Sequence, residues 1–185
     1  MFMVKKDMQR WLSMPKIIRD GAIVDDPWTV LKADDAAPLP SLSDAPLLIV
    51  PLKVWQSRRE ELLARSGQLG LLLQTNDEPA PFGADASLFC LIAIQFDKFT
   101  DGRGYSLGRL LRERYRFSGE LRAVGDVLQD QLFYLKRSGF NAFAIRADKN
   151  IDAALKSLSV FSETYQGAWD QPLPLFKRRP ITTVN

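Results

Sequence analysis

The residues best placed to do chemistry lie in FTDGRGYS (residues 99–106), where the acid Asp101 and the guanidinium of Arg103 are interleaved with Gly102 and Gly104. A loop of this kind ahead of a helix can hold an anion. Glycine opens backbone conformations closed to other residues, arginine offers paired planar donors, and the first helical N–H groups carry partial positive charge. The same residues also suit a tight turn in which Asp101 and Arg103 pair with their neighbours. From Asp101 to Arg122 there are six arginines, three acids and no lysine. That preference points to bidentate pairing with carboxylates or oxyanions, chemistry that a structural ion-pair network shares. Asp101 and Asp126 are the candidate general bases, with arginine to stabilise developing negative charge.

The glycines run Gly102, Gly104, Gly108. This G-x-G-x-x-x-G spacing is one residue longer than the dinucleotide fingerprint. Such a site also wants an acid some 20 residues on, at the end of the next strand; Asp126 falls nearby but reads first as the N-cap of its own helix.

Missing residue types exclude much. With no histidine and one cysteine, Cys90, among 185 residues, the chain lacks Ser-His and Cys-His catalysis, histidine-ligated metals, an internal disulfide and a cysteine-ligated cluster. No metal site is expected, and the sequence assigns no cofactor. The formal charge of +3 is too small to suggest nucleic-acid binding by itself. No apolar run reaches the length of a membrane span. A reducing, cytoplasmic location is the expectation.

The elements that must position the candidate residues are read from periodicity. Residues 1–15 form a leader expected to be disordered in part, 16–165 a single α/β domain, and 166–185 a tail that wraps the surface or dangles. Asp20-Gly21 between Ile17-Ile18 and Ile23-Val24 predicts a hairpin. Residues 32–46 read as a connector. Strands are expected at 47–52, 68–74, 90–96, 120–125 and 142–146. They alternate with helices at 53–67, near 84–89, and at 105–115, 126–139 and 149–165. Five β-α units demand a mostly parallel sheet with crossovers, either open or a partial barrel, and five are too few for a closed eight-stranded barrel. Chemistry then belongs at the carboxyl rim of the strands. That rim would gather the 99–106 loop with Asp97, Gly125, Asp126, Arg146 and Asp148.

On the 105–115 helix, Leu107, Leu110, Leu111 and Tyr115 mark the apolar face. Arg109, Arg112 and Arg116 fall on the solvated side, where they could dock an acidic partner, while Arg114 falls within the apolar arc. Gln131 lies on the core face of the next helix and needs partners, from a ligand or from backbone. Cys90 reads as inert core, and Trp28 and Trp55 as packing residues.

The run from Phe99 to Phe143, with DGRGYS, GELRAVGDV and DQL, resembles the bacterial domain-of-unknown-function family 934. IIRDGAIVDDPW, LLIVPLKVW and LIAIQFDKFTDGRGYS extend the likeness over most of residues 16–146. Some members of that family are labelled oxidoreductases and are encoded beside sulfite reductase, which implies a role in assimilatory sulfur metabolism. The family brings no catalytic residues to carry over. One cysteine and no histidine cannot supply the usual ligands of a sirohaem-coupled cluster, so an accessory role follows. The expectation is a protein that works with sulfite reductase or its electron donor. It would hold a small oxyanion or an acidic partner surface with Gly102, Arg103, Gly104, Arg109, Arg112, Gly125, Gln131 and Arg146. The alternatives are a nicotinamide- or flavin-dependent oxidoreductase, and a scaffold that forms a homodimer through its sheet.

Overall fold

A computed structural model of the chain describes residues 16–31, 45–65 and 67–178. The expected leader, most of the 32–46 connector and the last seven residues of the tail lie outside the described residues.

The hairpin forms where the sequence places it. Lys16–Arg19 (β1) runs antiparallel to Ala22–Asp25 (β2), with Ile17 opposite Val24 and Ile18 opposite Ile23. Asp20 and Gly21 turn the chain at φ of 50° and 78°, the pair of left-handed residues that two-residue hairpin turns require. A two-residue strand, Thr29–Val30 (β3), follows, and it pairs parallel with the next strand. No periodicity announces so short an element.

Then come the repeating units. The strands are Leu47–Pro51 (β4), Gln68–Gln74 (β5), Leu91–Phe96 (β6), Glu120–Gly125 (β7) and Ala142–Phe143 (β8). They pair in parallel, each with the next in sequence. β1 closes onto β8 antiparallel, giving the order β2-β1-β8-β7-β6-β5-β4-β3 in one open, strongly curled half-barrel sheet.

Helices depart further from expectation. The 53–67 helix breaks at Arg58 into Leu52–Ser57 (α1) and Arg59–Ala64 (α2). Residues 83–88 form a 3-10 turn, and Arg103–Glu113 is the long α3. The 126–139 helix becomes a 3-10 turn at Gln129–Gln131 followed by Leu132–Arg137 (α4). The last expected helix ends early, as Ile151–Ser157 (α5); Leu175–Arg178 (α6) is an unforeseen turn in the tail.

Strands adjacent in both sequence and space, joined by crossovers of one hand, send every helix to the same side of the sheet. The larger core is therefore the convex one. Val50, Leu71, Leu73, Ile92, Ile94, Leu121 and Ala123 meet Trp55, Leu62, Leu107, Leu111, Leu132 and Leu135 there. The opposite, concave face has a smaller cluster, Ile17, Ile49, Leu72, Leu91, Ala93, Val124 and Ala144, with Trp28 packed on it. Trp28 approaches closely over Gly70. On this face Arg122, only 2% exposed, donates to Asp26 at 2.8 Å and Glu120 at 2.7 Å. It thus pins the segment after the hairpin to the middle of the sheet.

Gly125 ends β7 at φ 95°, and a Cβ there would overlap the Phe96 carbonyl. The backbone crosses at that point because Asp126 N donates to Phe96 O at 2.7 Å. Gly125→Ala should lower stability by about 3 kcal/mol through combined strain and overlap, read as a lower urea midpoint with an unchanged slope.

Candidate functional site

The rim at the carboxyl ends of β5 to β8 gathers the residues that topology assigns to it, and nearly all of their charge is consumed locally. Asp101 sits at its centre. It accepts from Arg103 Nε (2.9 Å), Arg103 Nη2 (2.7 Å) and the buried Thr75 hydroxyl (2.6 Å). It also accepts from Arg103 N at 3.1 Å, so a first-turn N–H of α3 is already taken. The Arg103 and Thr75 bonds hold the Asp101 carboxyl well below the usual aspartate range. A carboxylate so held is a weak base. Arg103 itself remains 65% exposed.

A second cluster is built on Arg146. It forks onto Asp148 with two bonds of 2.7 Å and reaches Asp126 Oδ1 at 3.0 Å. Asp148 is held far below its ordinary value by this pair. Asp126 is not an N-cap: the 3-10 turn starts three residues later, at Gln129, and the Asp126 carboxylate accepts from Phe99 N instead. Gln131 completes the link between loops. Its Nε2 donates to Phe99 O at 2.8 Å, and its Oε1 accepts from Leu128 N at 2.9 Å. Both ends of this buried amide are spent on backbone. Gln95, buried at the end of β6, donates to Asp97 at 3.0 Å.

The glycines of the 99–106 loop work differently from the expectation. Gly102 has φ −77°, Gly104 is inside α3, and neither adopts a left-handed conformation. Their neighbours show what is required. A Cβ on Gly104 would overlap the Phe96 ring, and one on Gly108 would overlap Phe140. Gly104 and Gly108, one turn apart, thus form the groove by which α3 lies against two aromatic rings. The last two glycines of the G-x-G-x-x-x-G spacing have this packing reason, whereas a Cβ on Gly102 would meet nothing within 4 Å.

That contact also rotates the helix. Its buried face is Gly104, Leu107, Gly108 and Leu111, and the i,i+4 row through the two glycines continues to Arg112, which is buried rather than solvated. Arg112 donates to the carbonyls of Gly139 (2.9 Å), Phe117 (2.6 Å) and Gly119 (2.8 Å) and to Asn141 Oδ1 (3.1 Å). Burial lowers its pKa from the ordinary arginine value, yet arginine stays charged. Arg114, expected in the apolar arc, is exposed beside the Tyr115 ring. Arg109 pairs with Glu113 at 2.8 Å on the solvated side, and Arg116 is exposed in the turn that follows. Cys90 is exposed, just before β6, and is not core. Trp55 packs edge-on against Phe89 at 4.7 Å.

Sequence reasoning missed a second region. On the helix layer, between α3, α4 and the described part of the tail, lies a groove of about 560 Å³ lined by Arg109, Phe133, Tyr134, Arg137, Phe161 and Tyr165, among others. The aromatic residues spread through 133–165 were its only sequence signal. Among the described residues no cluster of His, Cys, Asp and Glu suits a metal ion, and no helix is long and apolar enough to cross a membrane.

A family model described as a bacterial protein of unknown function, DUF934, matches residues 70–176. Neither the curated proteins nor the solved structures contain a match.

Arg112→Ala should cost about 3 kcal/mol, because it strands buried carbonyls; thermal unfolding measures it, and Arg112→Lys should recover little of the loss. Asp101 has a depressed folded pKa, so its contribution is complete above the ordinary aspartate range near pH 4 and fades as pH falls below it. Asp101→Asn should therefore destabilise by about 1 kcal/mol at neutral pH and by less in acid, as urea titrations at the two pH values will show.

Proposed function

The chain belongs to the DUF934 family of bacterial proteins of unknown function, and from that premise we propose that it is an accessory protein of assimilatory sulfite reduction that docks an acidic redox partner. The partner is sulfite reductase or its electron donor. The sulfur-metabolism part of this reading is supported by the gene neighbourhood that the family resemblance implies.

One observation carries the docking part. Between Arg103 and Arg116 the chain has five arginines and a single acid, Glu113. Four of the five are exposed on one helix and the turn after it: Arg103, which holds Asp101, and Arg109, Arg114 and Arg116 toward the other end. Such a face attracts an acidic surface during diffusional encounter and fixes its orientation. The rim supports this role less well. Arg103 and Arg146 each hold their own aspartates, so a ligand there must compete with a bidentate intramolecular pair.

A small oxyanion at the rim is the second reading, favoured by the exposure of Arg103 beside the Gly102–Gly104 turn. An enzymatic role for Asp101 would work against its lowered basicity. Arg112 is committed to backbone carbonyls and takes no part in docking.

Immobilised protein should capture sulfite reductase or its electron donor at low salt. The paired reversals Arg114→Glu and Arg116→Glu should weaken capture at least about tenfold, as loss of two close charge contacts does, while Arg103→Ala leaves it intact. Capture of neither protein, or equal capture by the reversed variant, would reject the docking face. Calorimetry with sulfite, sulfate and phosphate addresses the rim: saturable heat that disappears in Arg103→Ala would move the site there.

A further inference from the structure

The groove on the helix layer has the shape and charge of a ligand site, and of its lining the docking reading uses Arg109 alone. We propose that it binds a planar aromatic anion, of the class to which nucleotides and flavin mononucleotide belong. Its volume of about 560 Å³ lies within the range of small-molecule pockets.

Its walls are aromatic. Phe133 packs against Phe161 with ring centroids 4.9 Å apart and against Tyr134 at 5.9 Å. Yet Tyr134, Phe161 and Tyr165 remain 66%, 60% and 70% exposed. Three large rings left in water around one concavity are a persistent cost unless something covers them. A flat π-system stacked on these rings would remove their faces from water at little conformational expense.

Charge sets the ligand's sign. Arg109 stands at the groove, bonded to Glu113 through Nε. Arg137 lies over the Phe133 ring at 5.7 Å and donates through Nη2 to Gln166 O at 2.7 Å. Its buried Nη1 has no hydrogen bond and is 3.7 Å from Asp170. The acid in the lining, Glu163, is neutralised by Arg178 at 2.8 Å. A phosphate on the ring system would meet two guanidinium groups and no free carboxylate of the lining, an arrangement suited to charge-assisted pairing. A neutral ring would gain only the stacking.

The test is calorimetry on the full chain with flavin mononucleotide, adenosine monophosphate, riboflavin and inorganic phosphate as separate titrants. Flavin mononucleotide should bind saturably, riboflavin about tenfold more weakly because it lacks the charge, and phosphate alone without measurable heat. Phe161→Ala should weaken flavin mononucleotide and riboflavin alike. Arg109→Gln should weaken flavin mononucleotide and leave riboflavin unchanged. Both side chains are exposed, so thermal unfolding should match the wild type, whereas Arg137 also anchors the tail and is the poorer choice.

The proposal is overturned if neither nucleotide gives saturable heat at about 1 mM, the weak end of ordinary ligand affinity. Riboflavin and flavin mononucleotide binding equally, both variants behaving as wild type, or an acidic aromatic peptide binding where the nucleotides do not would also overturn it. Partner capture is read separately, with Arg114 and Arg116, so either proposal can fail alone.

Discussion

The order of the strands governs everything else in this molecule. Because β4 to β8 are neighbours in sequence and in the sheet, and all five run the same way, each crossover passes over the same face. Among the described residues, one face then receives the helices that pack on the sheet and the other receives none. The sheet curls with its helix-free face inward, and that face must find cover from elsewhere in the chain. Trp28 and the Asp26–Arg122 pair provide part of it. In return, among the described residues the helix layer faces solvent with the tail laid across it. The tail holds on through Arg137, whose carbonyl accepts from Trp169 N and whose guanidinium reaches Gln166 O. The aromatic groove is a consequence of that partial covering.

The same topology brings four loops to one rim, the usual place for chemistry in parallel sheets. Here the rim is held together by charge. Asp101 is shared by Thr75 and Arg103, and Arg146 by Asp126 and Asp148, with Gln131 bridging the loops through backbone contacts. Each ion pair satisfies itself, which fixes the loop geometry and, at Asp101 and Asp148, lowers the carboxylate's basicity at once. Among the described residues, Arg114 and Arg116, at and just after the end of α3, are exposed and hold no acid, while Arg109 shares Glu113. Charge available to a partner therefore sits on the helix layer, a few turns away from where topology alone would put it.

Much of this was legible from residue pattern. The hairpin turn at Asp20-Gly21, the strands at 68–74 and 120–125, and a mostly parallel sheet follow from turn chemistry and apolar runs, but the choice between an open sheet and a partial barrel does not. What escaped has one main physical cause. Glycine contributes nothing to an apolar face on a helical wheel, yet Gly104 and Gly108 are where α3 comes nearest to Phe96 and Phe140. Counting only large apolar residues turned the wheel toward Leu110 and Tyr115. That put Arg112 in water and Arg114 in the core, the reverse of their places. Helix lengths were overestimated for a different reason. Arg58 adopts φ −129° and ψ 30°, and the chain after Ser157 leaves the helix to cross the layer. Both depend on tertiary contacts that local propensity does not contain. The groove was invisible because its residues come from three separate segments.

The claim that binding takes place on the helix layer is tested most directly by hydroxyl-radical footprinting of the protein mixed with sulfite reductase or its electron donor. Protection should fall on residues 109–116 and leave the rim residues 97–103 and 146–148 as reactive as in the free protein. Protection confined to the rim would contradict the account, because it would mean that the self-paired arginines there open to receive a partner.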